Sequence, residues 1–124
     1  MWSHGKFHWN ELMTHDIEAA KKFYGETIGW TFESMPHPAG TYWVAKLGGE
    51  SVAGLFPMSG PDFAAVPEHW FSYIAVDDVD ARLEKAIALG AKAIREPFDV
   101  QNVGRIAIVM DARGAVSGWI TPAM

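Results

Sequence analysis

Glu11 is the residue in this chain best suited to acid–base chemistry. It follows Trp9 by two positions in residues 7–13, a segment of mixed polarity that is typical of a β-strand. Residues two apart on a strand share a face, so we expect Glu11 and Trp9 to point into the same environment. A carboxylate beside aromatic rings is partly desolvated, which raises its pKa and suits a general base. The alternative is a solvated or paired carboxylate at the rim of a pocket.

The five histidines offer imidazoles without the spacing of a metal site. His8 lies opposite Trp9 on the first strand, and His15 lies beside an expected helix cap, where a local contact with Asp16 is usual. His4 and His37 fall in expected loops, and His69 comes just before a later strand. No two of them share a ligand-like spacing on one element, which argues against a histidine metal centre.

Apolar periodicity predicts two helices between groups of strands. Asp16 is a good N-cap for a helix that runs from residue 17 and closes at Gly29, and Asp78 is the matching cap for a helix that ends at Gly90. A turn is expected at residues 36–40 and hairpins at 48–49 and 111–114. Strands are predicted at residues 7–13, 30–33, 42–47, 51–56, 70–76, 91–94, 105–110 and 115–120.

The order of elements in the first half of the chain recurs in the second half. Residues 16–19 (Asp-Ile-Glu-Ala) match residues 78–81 (Asp-Val-Asp-Ala), and a stretch with three prolines separates the halves. We therefore expect an α+β fold made of two tandem β-α-β-β-β units that form curved mixed sheets. The predicted organisation is one domain over residues 1–124, with units at 1–58 and 70–124 and a linker at 59–69.

Composition narrows the classes of function. The chain has 124 residues, 49% hydrophobic and 20% charged, with a formal net charge of −5 and no cysteine. Lack of cysteine excludes disulfides, thiolate metal sites and cysteine nucleophiles. An acidic chain without a basic stripe is a poor partner for nucleic acid, and no stretch is long and apolar enough to cross a membrane. A cytoplasmic location is the prediction, since the first residues lack the apolar run of a signal peptide.

Several motifs together resemble the glyoxalase/bleomycin resistance protein/dioxygenase superfamily, whose fold is also called vicinal oxygen chelate (the VOC domain). They are Phe23-Tyr24 followed by Gly29-Trp30, the run from Val52 to Leu55, the run from Tyr73 to Val79, and the hairpin Asp111-Ala112-Arg113-Gly114. The resemblance covers essentially the whole chain. One departure is Ala112, where relatives commonly carry proline.

The resemblance implies a cup with four inward positions that hold a divalent metal in the family's enzymes. Those positions fall on Trp9, Gly54, Phe71 and Gly118 here, and none of these side chains can ligate a metal ion. A shift of one residue in the alignment would bring Glu11 or His69 near a ligand position, but one or two donors would not make a tight site. We therefore expect no cofactor, with a divalent metal as the alternative.

The function predicted on this basis is metal-independent binding of a small molecule, either sequestration or sensing of an apolar or aromatic compound. The expected ligand contacts are an aromatic and glycine-lined set: Trp9, Glu11, Gly54, Phe56, Phe71, Tyr73 and Gly118. The rival interpretation of Trp9, Phe71 and Tyr73 is ordinary core packing. The alternatives are a lyase, isomerase or dioxygenase-type enzyme that uses Glu11 as its catalytic base or an unrecognised metal, and a dimeric interaction module. A homodimer is expected, because it would cover sheet edges and apolar surface.

Overall fold

The protein is described by a computed structural model, which covers residues 2–37 and 40–123. It contains two helices and eight strands in the predicted order, with a short 3₁₀ turn at Pro61–Phe63. The helices are α1 (Ile17–Ile28) and α2 (Val79–Ala88). The strands are β1 (Phe7–Thr14), β2 (Thr31–His37), β3 (Gly40–Leu47), β4 (Glu50–Pro57), β5 (His69–Ala75), β6 (Lys92–Val100), β7 (Gly104–Met110) and β8 (Val116–Pro122). The α+β class and the tandem β-α-β-β-β order are confirmed.

The chain divides into two compact units, each with one helix and four strands. The first-half unit comprises residues 9–71, and the second-half unit comprises residues 2–8 together with 72–123. In the first-half unit the strand order is β2-β3-β4-β1, with β1 and β4 parallel and the other pairs antiparallel. In the second-half unit the order is β5-β8-β7-β6, with β5 and β8 parallel. Both are mixed sheets, and residues 59–69 group with the first-half unit.

The helix caps form as the sequence predicts. The Asp16 carboxylate accepts a hydrogen bond from the Ala19 amide at 3.0 Å, and the Asp78 carboxylate accepts one from the Ala81 amide at 3.1 Å. Each bond pairs one of the amides that a helix start leaves without a partner. Gly29 ends α1 with a φ of 90°, the left-handed conformation that favours glycine.

Each sheet packs one face against its helix, and alternate residues of the same strands lie on the opposite face. In the first-half unit, Leu12 and Leu55 pack with Ala20 of α1. In the second-half unit, Val109 of β7 packs with Val79 and Leu83 of α2. Side chains alternate between faces along a strand, so the neighbours of these residues, such as Glu11 and Gly54, lie on the face away from the helix.

The structure corrects one predicted turn and lengthens two strands. His37 was predicted in a loop but lies at the end of β2, with Pro36 inside that strand; Pro38 and Ala39 lie outside the described residues. β6 likewise runs past Pro97, where its register to β7 shifts. Both strands are outermost in their sheets, where alternate backbone nitrogens face away from the neighbouring strand and a proline is tolerated. Neither helix in the described ranges is long and apolar enough to cross a bilayer.

Candidate functional site

The strand register brings Glu11 directly opposite Gly54 in the first-half unit. β1 pairs with β4 in parallel, with Glu11 aligned to Gly54, and Gly54 aligns in turn with Val44 of β3. Trp9 lies on the same face of β1 as Glu11, two residues earlier. Three of the predicted site residues are thus neighbours on the sheet face away from α1.

Tyr42 joins these residues into a chain of hydrogen bonds. The Trp9 indole N–H donates to the Tyr42 hydroxyl at 2.8 Å, and that hydroxyl donates to Oε1 of Glu11 at 3.0 Å. Glu11 is only 6% exposed, while Trp9 and Tyr42 are half-buried. Burial of a carboxylate is costly unless donors are aimed at it, and the Tyr42 hydroxyl is one such donor.

Burial, with the neighbouring Glu11 carboxylate, raises the pKa of the Tyr42 phenol well above its ordinary value. Loss of the phenolic proton would place two negative charges side by side in a region with little water. Tyr42 therefore stays a neutral hydrogen-bond donor at physiological pH. Through this hydrogen bond it can polarise and orient Glu11.

Gly54 leaves the space that the Tyr42 hydroxyl occupies. A Cβ built on Gly54 would overlap the Tyr42 hydroxyl and would come within 3.0 Å of Trp9 Nε1. The close approach of a tyrosine from the neighbouring strand requires glycine at this position. Any larger side chain at position 54, including a metal-ligating one, would displace the tyrosine.

A row of aromatic rings continues from Tyr42 along the same unit. The His37 ring stacks on Tyr42 with ring centroids 5.7 Å apart, and Phe56 meets His37 edge-on at 5.5 Å. Phe63, from the 3₁₀ turn, contacts Phe56 at 6.1 Å. All four rings are half-buried, so each is held by its neighbours yet keeps exposed surface.

The remaining predicted site residues have different surroundings. Phe71 is half-buried at the end of the first-half unit and meets His69 edge-on at 6.5 Å. Tyr73 and Gly118 belong to the second-half unit, where the register of β5 and β8 aligns them as it aligns Glu11 with Gly54. The internal repeat therefore extends to the register: position 73 corresponds to Glu11 and position 118 to Gly54.

His4, His15 and two surface hollows contact residues outside the Glu11 cluster. The ring of His15 lies 2.6 Å from the Val66 carbonyl oxygen, and the His4 ring accepts a hydrogen bond from the Asp77 amide. A hollow of about 290 Å³ on α1 is lined by Phe23 and its neighbours, and one of about 180 Å³ is lined by residues around Lys6. Neither hollow includes a predicted site residue.

The donor set does not fit the divalent metal that the family's enzymes hold. In residues 2–37 and 40–123, no three side chains of the His, Cys, Asp and Glu types lie close enough together to bind an ion. In the first-half unit, the would-be ligand positions carry an indole N–H and a glycine, and the space at Gly54 is taken by a protonated phenol. Glu11 offers one carboxylate there, and a metal site needs about three such donors.

Sequence reasoning missed Tyr42, His37 and Phe63 as members of this site. Tyr42 carries no local motif, and its role depends on the register between β3 and β4. The one available signal was Gly54, since a glycine inside a strand often marks the close approach of another group. His37 was assigned to a loop because of the prolines on either side of it.

Comparisons with known proteins agree with this fold. A sequence model described as the Glyoxalase/Bleomycin resistance protein/Dioxygenase superfamily matches residues 6–116. "Putative glyoxylase CFP32" from Mycobacterium tuberculosis is 42% identical over 120 residues, which are 96% of this chain and 45% of CFP32. The anthracycline biosynthesis protein DnrV from Streptomyces peucetius is 31% identical over 119 residues, covering 86% of this chain and 43% of DnrV. The chain thus spans less than half the length of either relative.

A solved structure shares the fold at low sequence identity. Methylmalonyl-CoA epimerase from Streptomyces coelicolor, in complex with 2-nitronate-propionyl-CoA, matches with a TM-score of 0.72 and 20% identity, covering 98% of this chain and 100% of the epimerase chain. The likeness at this identity concerns the fold. With the family match spanning most of its residues, the chain belongs to the Glyoxalase/Bleomycin resistance protein/Dioxygenase superfamily.

Proposed function

We propose that this chain is a small-molecule-binding domain of its superfamily that works without a divalent metal. The observation that carries the proposal is the Tyr42 hydroxyl, which fills the space above Gly54 and hydrogen-bonds to both Trp9 and Glu11. The polar centre of the first-half unit is therefore organised by hydrogen bonds between side chains. The Trp9 N–H and the Tyr42 O–H are both used in these bonds, and an ion would have to displace them.

An apolar or aromatic compound is the ligand class that this surface favours. Tyr42, His37 and Phe56 present half-exposed rings in contact with one another, and such rings bind flat apolar molecules through area burial and stacking. The name of DnrV, which places that relative in anthracycline biosynthesis, is consistent with a polycyclic aromatic ligand. The biological outcome of binding would be sequestration or sensing of the compound.

Elemental analysis and thermal shift together test the proposal. Protein purified without chelators should contain divalent metal far below one equivalent, and its unfolding temperature should be unchanged by EDTA. A panel of planar aromatic compounds should raise the unfolding temperature, because a ligand that binds only the folded state stabilises it. Stoichiometric nickel, zinc, manganese or iron that EDTA removes with loss of stability would overturn the metal-independent assignment.

A second candidate is an enzyme of the lyase or isomerase type that uses Glu11 as a general base. The burial of Glu11 beside a donating phenol favours it, because a desolvated carboxylate is suited to proton abstraction. The name of CFP32 describes a glyoxylase, which is consistent with chemistry at Glu11. Glu11→Gln should abolish any turnover found for this protein while leaving ligand affinity within a few-fold of wild type. Full turnover in that variant would eliminate Glu11 as the base.

Assembly as a homodimer is also part of the proposal. Large apolar side chains on the surface, including Leu89 at 82% exposure and Ile94 on β6, would be covered by a second copy. Light scattering at micromolar concentration should give twice the monomer mass. A monomer would remove this part of the proposal and the alternative of a dimeric interaction module with it.

A further inference from the structure

The net negative charge of this protein is confined to the first-half unit. Residues 9–71 carry three lysines against eight aspartates and glutamates and contain no arginine, whereas the rest of the chain carries seven basic and seven acidic residues. The formal charge of −5 therefore belongs to the unit that holds the aromatic row of His37, Tyr42, Phe56 and Phe63. A unit charged in this way attracts cations and repels anions.

The three lysines of the unit do not offset this field near the row. Each is paired with a carboxylate: Lys21 with Glu18 at 3.1 Å, Lys22 with Glu26 at 2.9 Å, and Lys46 with Glu33 at 3.6 Å. At the row itself, Tyr42 directs its hydroxyl proton to Glu11, so the buried end of the row is a carboxylate. A bound anion would face that carboxylate without a free lysine of the unit as partner.

The stretch between β4 and β5 fixes the far end of the row. The Met58 amide donates to the Thr14 carbonyl at 2.8 Å, and Met58 is almost fully buried. Farther along, the His15 ring lies 2.6 Å from the Val66 carbonyl oxygen, and the His15 amide donates to Glu68 at 2.6 Å. These hydrogen bonds hold the stretch that carries the 3₁₀ turn in place, so the position of Phe63 is fixed.

We propose that the aromatic row of His37, Tyr42, Phe56 and Phe63 is a stacking subsite for a planar aromatic cation. The inference rests on the proposed function and makes it specific, since it names the rings that stack and the charge that the ligand carries. A flat ligand stacks on the half-exposed aromatic faces, and a positive charge is attracted both by those faces and by Glu11. Phe63 and His37 are the specificity-determining residues, because they extend the row beyond the Trp9–Tyr42–Glu11 cluster.

The test compares three tricyclic probes of different charge by isothermal titration calorimetry. Proflavine is a planar cation, 9-anthracenemethanol is neutral, and anthraquinone-2-sulfonate is an anion. Wild-type protein should bind proflavine, and it should bind the sulfonate at least about tenfold more weakly, with the gap closing as salt is added. An affinity for the sulfonate equal to or above that for proflavine would refute the preference for a cationic ligand.

Two phenylalanine variants provide a matched comparison for the stacking rings. Phe63→Ala removes the end of the row and should weaken proflavine binding about tenfold. Phe23→Ala makes the same change on α1, where the ring is 58% exposed and lies outside the row, and should leave affinity unchanged. His37→Ala should also weaken binding, and His37→Phe should restore it, because a ring is what the row requires. Circular dichroism confirms that each variant is folded.

The failure of this subsite and the failure of the proposed function give different results. Proflavine binding that is equal in wild type, Phe63→Ala and Phe23→Ala would overturn the stacking subsite, while leaving a metal-free binding domain intact. No binding of any of the three probes to folded wild-type protein would overturn both. Binding that responds to Phe63 and His37 but appears only after metal is added would support the row and overturn the metal-free assignment.

Discussion

Gly54→Ala is the substitution whose effect the structure predicts most sharply. The new Cβ would overlap the Tyr42 hydroxyl, so the phenol has to move away from Trp9 and Glu11. Two hydrogen bonds worth about 1 kcal/mol each would be lost, and pushing the Tyr42 ring out of its packed position would cost up to about 2 kcal/mol more. We expect the free energy of unfolding to fall by about 2–4 kcal/mol.

Gly25→Ala is the matched control within the same unit. Gly25 lies inside α1, and a Cβ there would be 3.5 Å from the Trp30 carbonyl oxygen, an ordinary van der Waals contact. Replacing a glycine in a helix by alanine stabilises the helix by about 0.5–1 kcal/mol. The same chemical change should thus have opposite signs at positions 25 and 54, as measured by urea unfolding with tryptophan fluorescence and circular dichroism.

A double-mutant cycle with Tyr42→Phe tests the cause of the loss. Tyr42→Phe alone removes the same two hydrogen bonds without forcing a side chain against the ring, and should cost about 2 kcal/mol. Because those bonds can be lost only once, Gly54→Ala in the Phe background should cost less than in wild type, with a coupling of about 1–2 kcal/mol. The ring must still shift, so some cost remains. A neutral Gly54→Ala, or strict additivity of the two changes, would refute the assignment of the hydroxyl to the space above Gly54.

Three further predictions concern the phenol, the helix caps and one ion pair. In a spectrophotometric titration near the ordinary tyrosine pKa of about 10, Tyr42→Phe should show the same absorbance change as wild type, because Tyr42 does not ionise there while the protein is folded. A smaller absorbance change in the variant would contradict this. Asp16→Ala and Asp78→Ala should each lower the free energy of unfolding by about 1 kcal/mol, since the caps are equivalent in the repeat, and a large difference between them would argue against that equivalence. Hydrogen bonds from Arg82 hold the pKa of Asp77 below its ordinary value, so the pair stabilises the fold above the unfolded-state pKa of about 4, and this contribution is lost as the pH falls. The difference in melting temperature between wild type and Arg82→Gln should therefore become smaller in acid. A difference that grows in acid would be inconsistent with the pair.

Element order could be predicted from the sequence because its signals are local. Asp16 and Asp78 cap helices whose apolar periodicity is clear, and Gly29 marks a helix end through a backbone conformation that few other residues adopt. The strand ends were less predictable, because Pro36 and Pro97 both suggest a break. Each proline instead lies in an outermost strand, and a strand's place in its sheet depends on pairing with distant residues.

The candidate site was only half predictable for the same reason. Parity along β1 places Trp9 and Glu11 on one face, and this requires knowledge of a single strand. Tyr42 reaches Gly54 from the next strand, so its role depends on the register between β3 and β4, which no short motif reports. Phe63 depends on still more distant ties, through His15 to the stretch that carries the 3₁₀ turn.

In the metal-free function proposed above, the Tyr42 ring fills the space that a ligand side chain at position 54 would occupy, so that no void is left. Removal of a ligand side chain from β4 would leave a buried carboxylate facing empty space, which costs both packing and a hydrogen-bond partner. A tyrosine on the adjacent strand corrects both faults, since its ring fills the volume and its hydroxyl donates to Glu11. The two positions are therefore expected to change together: a side chain larger than glycine at 54 requires a shorter one at 42.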